Sequence, residues 1–167
     1  MRDDLTPRLA LPLLQPGQAQ KELYHNEALV LIDLAIQASV NRVGENTPPE
    51  APTAGASWIV GSAPTGAWVG AASHLASWTA GGWRFVAPFD GMTAWSLEHT
   101  AQARFAAGIW TIGEARCASV MIDGVQVVGP RRPAIAPPAG GAVIDSEARL
   151  SIEAMLAALI AHGLIAG

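Results

Sequence analysis

The sequence predicts an α+β fold: an N-terminal helix, a central antiparallel β-sheet or sandwich of short strands, a Pro-rich connector and a C-terminal helix. Three observations carry this. Residues 18–40 lack Gly and Pro and place apolar side chains at helical spacing. Trp58, Trp68 and Trp78 recur every ten residues, the repeat of a strand plus its turn. Residues 129–141 (GPRRPAIAPPAGG) hold four prolines and a double glycine, which forbid regular structure and favour an extended crossing.

The first segment, 1–45, is expected to serve attachment or oligomerisation. Pro16-Gly17 marks a turn ahead of the helix. One stripe of that helix runs Leu23, Glu27, Val30, Leu31 and Leu34, and a second runs Leu29, Ile32, Ile36 and Val40. From Ala28 onward both faces are apolar apart from Asp33 and Gln37. A helix that is apolar all round must be covered all round. One face can meet the chain's own sheet; the other meets another copy or another protein, unless the helix is wedged between elements of its own chain.

After a Pro-rich loop, residues 46–56, a β-rich segment occupies 56–129. Trp58-Ile59-Val60 reads as a strand. Ala80-Gly81-Gly82 links Trp78 to Trp83 in a tight hairpin, and residues 91–97 and 108–112 read as further strands. Residues 119–128 form a hairpin folded at Asp123-Gly124, the strongest turn signal in the chain.

The last segment, 130–167, joins the connector to a helix. Asp145 or Ser146 caps its start, and Glu147 suits the positive end of the helix dipole. Ile152, Met155, Leu156, Leu159 and Ile160 form its apolar stripe, and Gly163 fits the left-handed position beyond its end, with Leu164 folding back towards Leu159.

Composition narrows the function classes. Charged residues are 14% of 167 residues against roughly 25% in ordinary domains, hydrophobic residues are 50%, and net charge is -4. A disordered polyelectrolyte and a large basic nucleic-acid-binding face are both excluded. One cysteine excludes a disulfide framework, and Cys117 is expected as a small buried side chain. The apolar run Leu9 to Leu14 is broken by Pro12, so no secretory signal is expected, and no run approaches the roughly 20 residues of a membrane span. Synthesis in the cytosol follows as the expectation.

Catalytic patterns are sparse. There is no HExxH, G-x-S-x-G, P-loop or Cys-x-x-Cys, and the glycine-rich residues 61–70 lack dinucleotide-binding spacing. His25 and Glu27, two apart on a helix, make a poor metal pair; His74 and His99 are isolated, and His162 sits where a helix end welcomes a cation. Neither a catalytic residue nor a cofactor nor a metal is expected. Six tryptophans are unusual. Their plain reading is core; their functional reading is a saccharide-stacking platform made by Trp78, Trp83 and Trp95.

Three stretches carry a family resemblance: LPLLQPGQAQKELYHNEALVLIDLAIQ, GSAPTGAWVGAASHLASWTAGGWRFVAPFDGMTAWSLE and VVGPRRPAIAPPAGGAVIDSEARLSIEAMLAALIAHGLI. Together they resemble a family of alphaproteobacterial prophage and gene-transfer-agent structural proteins catalogued as a domain of unknown function. The resemblance implies a non-enzymatic component of a phage-like particle. It implies a homo-oligomer with a capsid protein and a spike fibre protein as partners, cell-surface polysaccharide met indirectly, and neither nucleic acid nor membrane bound. The family's recurrent N-terminal segment maps to Gln15, Gln18, Gln20, Lys21, Glu22, Asn26 and Glu27. These, with Leu29, Ile32 and Ile36 of the apolar helix, are the expected interface. The alternative is a carbohydrate- or receptor-binding module of a fibre.

Overall fold

The computed structural model describes residues 5–14 and 21–167. The fold is α+β, as expected, and divides into two compact units, residues 1–114 and 115–167. The β-hairpin at Asp123-Gly124 belongs with the connector and closing helix in the second unit, not with the strands before it.

In the first unit, α1 (Lys21–Ala35) leads into β1 (Ala38–Val40) and β2 (Arg42–Glu45). The helix is shorter than residues 18–40. Residues 18–20 lie outside the described residues; at the other end Gln37 adopts a left-handed φ of 45°, and Ala38–Val40 pair with a strand instead. Sheet pairing overrides helical periodicity here: Val40 is fully buried as a strand residue.

Then come β3 (Ser57–Val60), β4 (Leu75–Thr79), β5 (Gly82–Val86), β6 (Thr93–Ser96), β7 (Ala101–Ala106) and β8 (Ile109–Ile112). They form two four-stranded sheets, ordered β1-β6-β7-β8 and β2-β3-β4-β5. The chain switches sheets at Asn41, between β1 and β2. Both sheets are mixed rather than purely antiparallel, because β1 joins β6 and β2 joins β3 in parallel.

One core gathers the inward residues of both sheets: Val40, Ala94, Ala103 and Phe105 from the first, Ile59 and Leu75 from the second, with Leu34 of α1. A second cluster covers the opposite face of the β3–β4–β5 sheet, where Trp58, Val60 and Ala76 pack with fully buried Trp68. Strand β3 is therefore buried on both faces, which explains its unbroken apolar Trp-Ile-Val run. Gly61 is required beside it, since a Cβ there would collide with the Asn46 side chain and the Gly44 carbonyl. Asn46 Oδ1 meanwhile accepts a hydrogen bond from the Ala63 amide at 2.9 Å, fixing the loop that carries Trp68.

The second unit contains β9 (Val120–Ile122), β10 (Val125–Val128) and α2 (Ser146–Ala161). Asp123 and Gly124 both have positive φ, 48° and 77°, the signature of a type I′ hairpin. Asp145 caps α2 by accepting from the Ala148 amide. At the far end the Leu164 amide donates to the Leu159 carbonyl and Gly163 to Ile160, a complete Schellman motif with Gly163 at φ 71°. Cys117 is exposed, contrary to expectation, because residues 113–118 between β8 and β9 form no strand or helix that would enclose it.

Leu75→Ala is expected to cost about 2–5 kcal/mol of stability by opening a cavity between the two sheets. Urea unfolding followed by tryptophan emission measures this, and every tryptophan lies in the first unit.

Candidate functional site

Asp33 organises the approach of the N-terminal segment to α1. It is buried, and its carboxylate accepts from the Thr6 hydroxyl at 3.0 Å, the Arg8 amide at 3.1 Å and the Leu9 amide at 2.6 Å. Arg8 returns the contact. Its guanidinium donates to the carbonyls of Asp33, Leu34 (3.2 Å) and Gln37 (2.9 Å). Those carbonyls belong to the last turn of α1 and the residues just beyond it, where a helix lacks internal partners and a cation is favoured. Asn26 adds a second tie: its side-chain amide accepts from the Leu14 amide at 2.8 Å and donates to the Leu14 carbonyl at 3.0 Å.

Glu27 points to the sheet, where Arg84 of β5 donates to it at 2.7 Å. Arg84 also donates to the Gly81 carbonyl at the tip of the β4–β5 turn. Between these anchors lies an open groove of about 580 Å³, lined by Leu5, Leu13, Leu23, Val30 and Ala80 with the Glu27–Arg84 pair in its wall.

Elsewhere on α1, Tyr24 is 81% exposed and Ile32, two turns further along, is exposed as well; Ile36, just past the helix end, is also exposed.

The expected interface residues therefore separate by role. Gln15, Gln18 and Gln20 lie outside the described residues. Asn26 and Glu27 hold their own chain together. Leu29 and Glu22 are half-buried, Lys21 is exposed, and Ile32 and Ile36 present apolar surface outward. Sequence reasoning registered Asp33 only as an interruption of an apolar face and passed over Thr6 and Arg8. The available signal was a lone acid inside an apolar helix, which demands a partner.

The tryptophans divide likewise. Trp83 is enclosed edge-on by Trp58, Trp68 and Trp78, at ring separations of 5.4, 5.1 and 5.2 Å. Trp83 and Trp78 are both half-buried and pack against the second core. Trp95 differs. It stands 47% exposed on the outer face of the first sheet, directly between Ser39 of β1 and Gln102 of β7, with Thr93 and Arg104 on the same face.

Among the described residues no group of His, Cys, Asp and Glu could hold a metal ion, and no helix is long and apolar enough to cross a membrane. His74 and His99 each bond within their own turns, His74 with the Ala72 carbonyl and His99 with the Ser96 hydroxyl.

Asp33→Ala is expected to leave the Thr6 hydroxyl and the Arg8 and Leu9 amides without their acceptor, to release residues 5–14 and to cost about 2–4 kcal/mol. Limited proteolysis of the N-terminal segment and the urea midpoint check this, while Tyr24→Ser should leave the midpoint within about 0.5 kcal/mol.

Residues 25–111 match the model of a family described as Protein of unknown function (DUF2793). No curated protein matches the chain.

Proposed function

The chain belongs to the DUF2793 family, whose function is unknown, and on that premise we propose that it is a structural adapter of a phage-like particle. In its most specific form this is the head spike base of a gene transfer agent, an oligomer joining a capsid vertex to a fibre that meets the host capsule. The observation that carries the reading is the exposed apolar surface of Tyr24 and Ile32 on α1 and of Ile36 just past its end, with the Asp33–Arg8 clasp tying that end of the helix to the N-terminal segment. An exposed apolar stripe on a fixed helix is a docking surface for a protein partner. The resemblance of residues 11–37, 61–98 and 127–165 to particle components supplies the setting. Such an adapter works by packing, and symmetry multiplies each weak contact.

Placing a charge on the stripe tests this. Tyr24→Asp with Ile32→Asp is expected to weaken attachment to particles by about tenfold or more, because a buried unpaired charge exceeds 1.4 kcal/mol. Tryptophan emission should stay unchanged. Particles lacking the chain should also lose their vertex decorations in negative stain; decorations that persist would refute the head-spike reading.

A second reading, a carbohydrate-binding module, is favoured by Trp95 alone. An exposed indole flanked by Ser39, Thr93, Gln102 and Arg104 offers a stacking face with hydrogen-bonding groups around it. Under that reading capsule sugar shifts tryptophan emission and Trp95→Ala removes the shift, whereas an unchanged response in Trp95→Ala excludes this platform.

A further inference from the structure

The second unit has regular secondary structure without a core. Of its Val, Ile, Leu and Met side chains, Ile165 alone is buried, Leu156 and Leu159 are half-buried, and all the others are exposed. Both faces of the β9–β10 hairpin are open, since every residue of the two strands is exposed. No residue of α2 is buried. What holds the unit together is polar. The Arg132 amide donates to the Leu164 carbonyl at 2.8 Å, the Ala166 amide donates to the Arg132 carbonyl at 2.7 Å, and Arg131 donates to the Ile165 carbonyl.

A lone hairpin and a lone helix of sixteen residues are each marginal in water. Yet this sequence specifies both sharply, with a type I′ turn, an aspartate N-cap and a Schellman C-cap. Local design this definite, with so little apolar interior, leaves the unit's apolar surface to be covered by something outside the unit.

We infer that the second unit is the self-association module, and that its missing core is supplied by the same unit of neighbouring copies. Charge argues for a copy over a foreign chain. The four arginines of residues 115–167 balance four acids, so the whole net charge of -4 resides in the first unit. A neutral apolar surface meets its own copy without repulsion. Extent agrees: fourteen Val, Ile, Leu and Met side chains of this unit are exposed, the kind of apolar surface that a stable interface covers. Topology agrees as well. A hairpin open on both faces needs cover on both, and a ring of copies gives each member two neighbours from one pair of complementary surfaces.

This deepens the adapter reading by naming the partner of one surface, and it rests on that reading for its biological setting. The first unit's α1 stripe is left for the particle, while the second unit joins the copies.

Sedimentation of the full chain tests the inference. The wild type is expected well above its 17.3 kDa chain mass. Leu150→Glu with Met155→Glu on α2, and separately Val125→Glu on β10, should each return it to chain mass with tryptophan emission unchanged. Ile32→Glu on α1 should leave the assembly intact. A wild type at chain mass, an assembly indifferent to both second-unit variants, or one dispersed by Ile32→Glu would overturn it. A monomer that still attaches to particles would overturn the inference and leave the adapter reading standing; an oligomer that fails to attach would do the reverse.

Discussion

Burial is distributed unevenly along this chain, and the rest of its behaviour follows from that. Residues 34–112 enclose two apolar clusters, one between the sheets and one around Trp68, so the first unit has an interior of its own. Residues 115–167 hide little beyond Ile165. Apolar surface removed from water is the dominant favourable term in folding. In the self-association inferred above, this segment gains it from neighbouring copies, and its caps and turn keep the cost in backbone order low. Low charge and high apolar content, unusual in a free-standing domain, are what such a chain needs.

The same constraint explains the N-terminal clasp. A helix that offers an apolar stripe to a partner must be held so that the stripe faces outward. Here Leu34 anchors α1 in the core, Glu27 ties it to Arg84, and Asp33 and Arg8 lock the N-terminal segment against its C-terminal end. These contacts leave the Tyr24, Ile32 and Ile36 side chains exposed, so the chain itself positions the surface that the proposed partner would meet. A rigid, pre-positioned stripe loses less conformational freedom on docking than a flexible one.

Much of this architecture was legible in the sequence, for reasons that particular residues show. The Asp123-Gly124 turn, the Trp78–Trp83 hairpin and the Asp145 and Gly163 helix ends were readable because each depends on local backbone chemistry. Strands β1 and β7 were not. Ala38–Val40 continues the apolar spacing of α1, and only pairing with β6 turns it into a strand. Ala101–Ala106 is rich in alanine, a poor strand former, and is recruited by partners on both sides. The fate of the tryptophans was hidden for the same reason: a ten-residue spacing places Trp58, Trp68 and Trp78 along the chain, but only the sheet pairing decides that Trp83 packs edge-on among them while Trp95 stands exposed. Among interface residues, apolar Ile32 and Ile36 were legible as surplus surface, whereas Asn26 and Glu27 turned inward to partners, Leu14 and Arg84, that no spacing rule reveals.

Amide hydrogen exchange across a dilution series addresses the uneven burial most directly. If neighbouring copies complete the second unit, amides of β9, β10 and α2 are protected at high concentration and lose that protection on dilution, while β3 and β4 stay protected throughout. Protection in residues 120–161 that is independent of concentration would mean that the unit holds together within a single chain, contrary to this account.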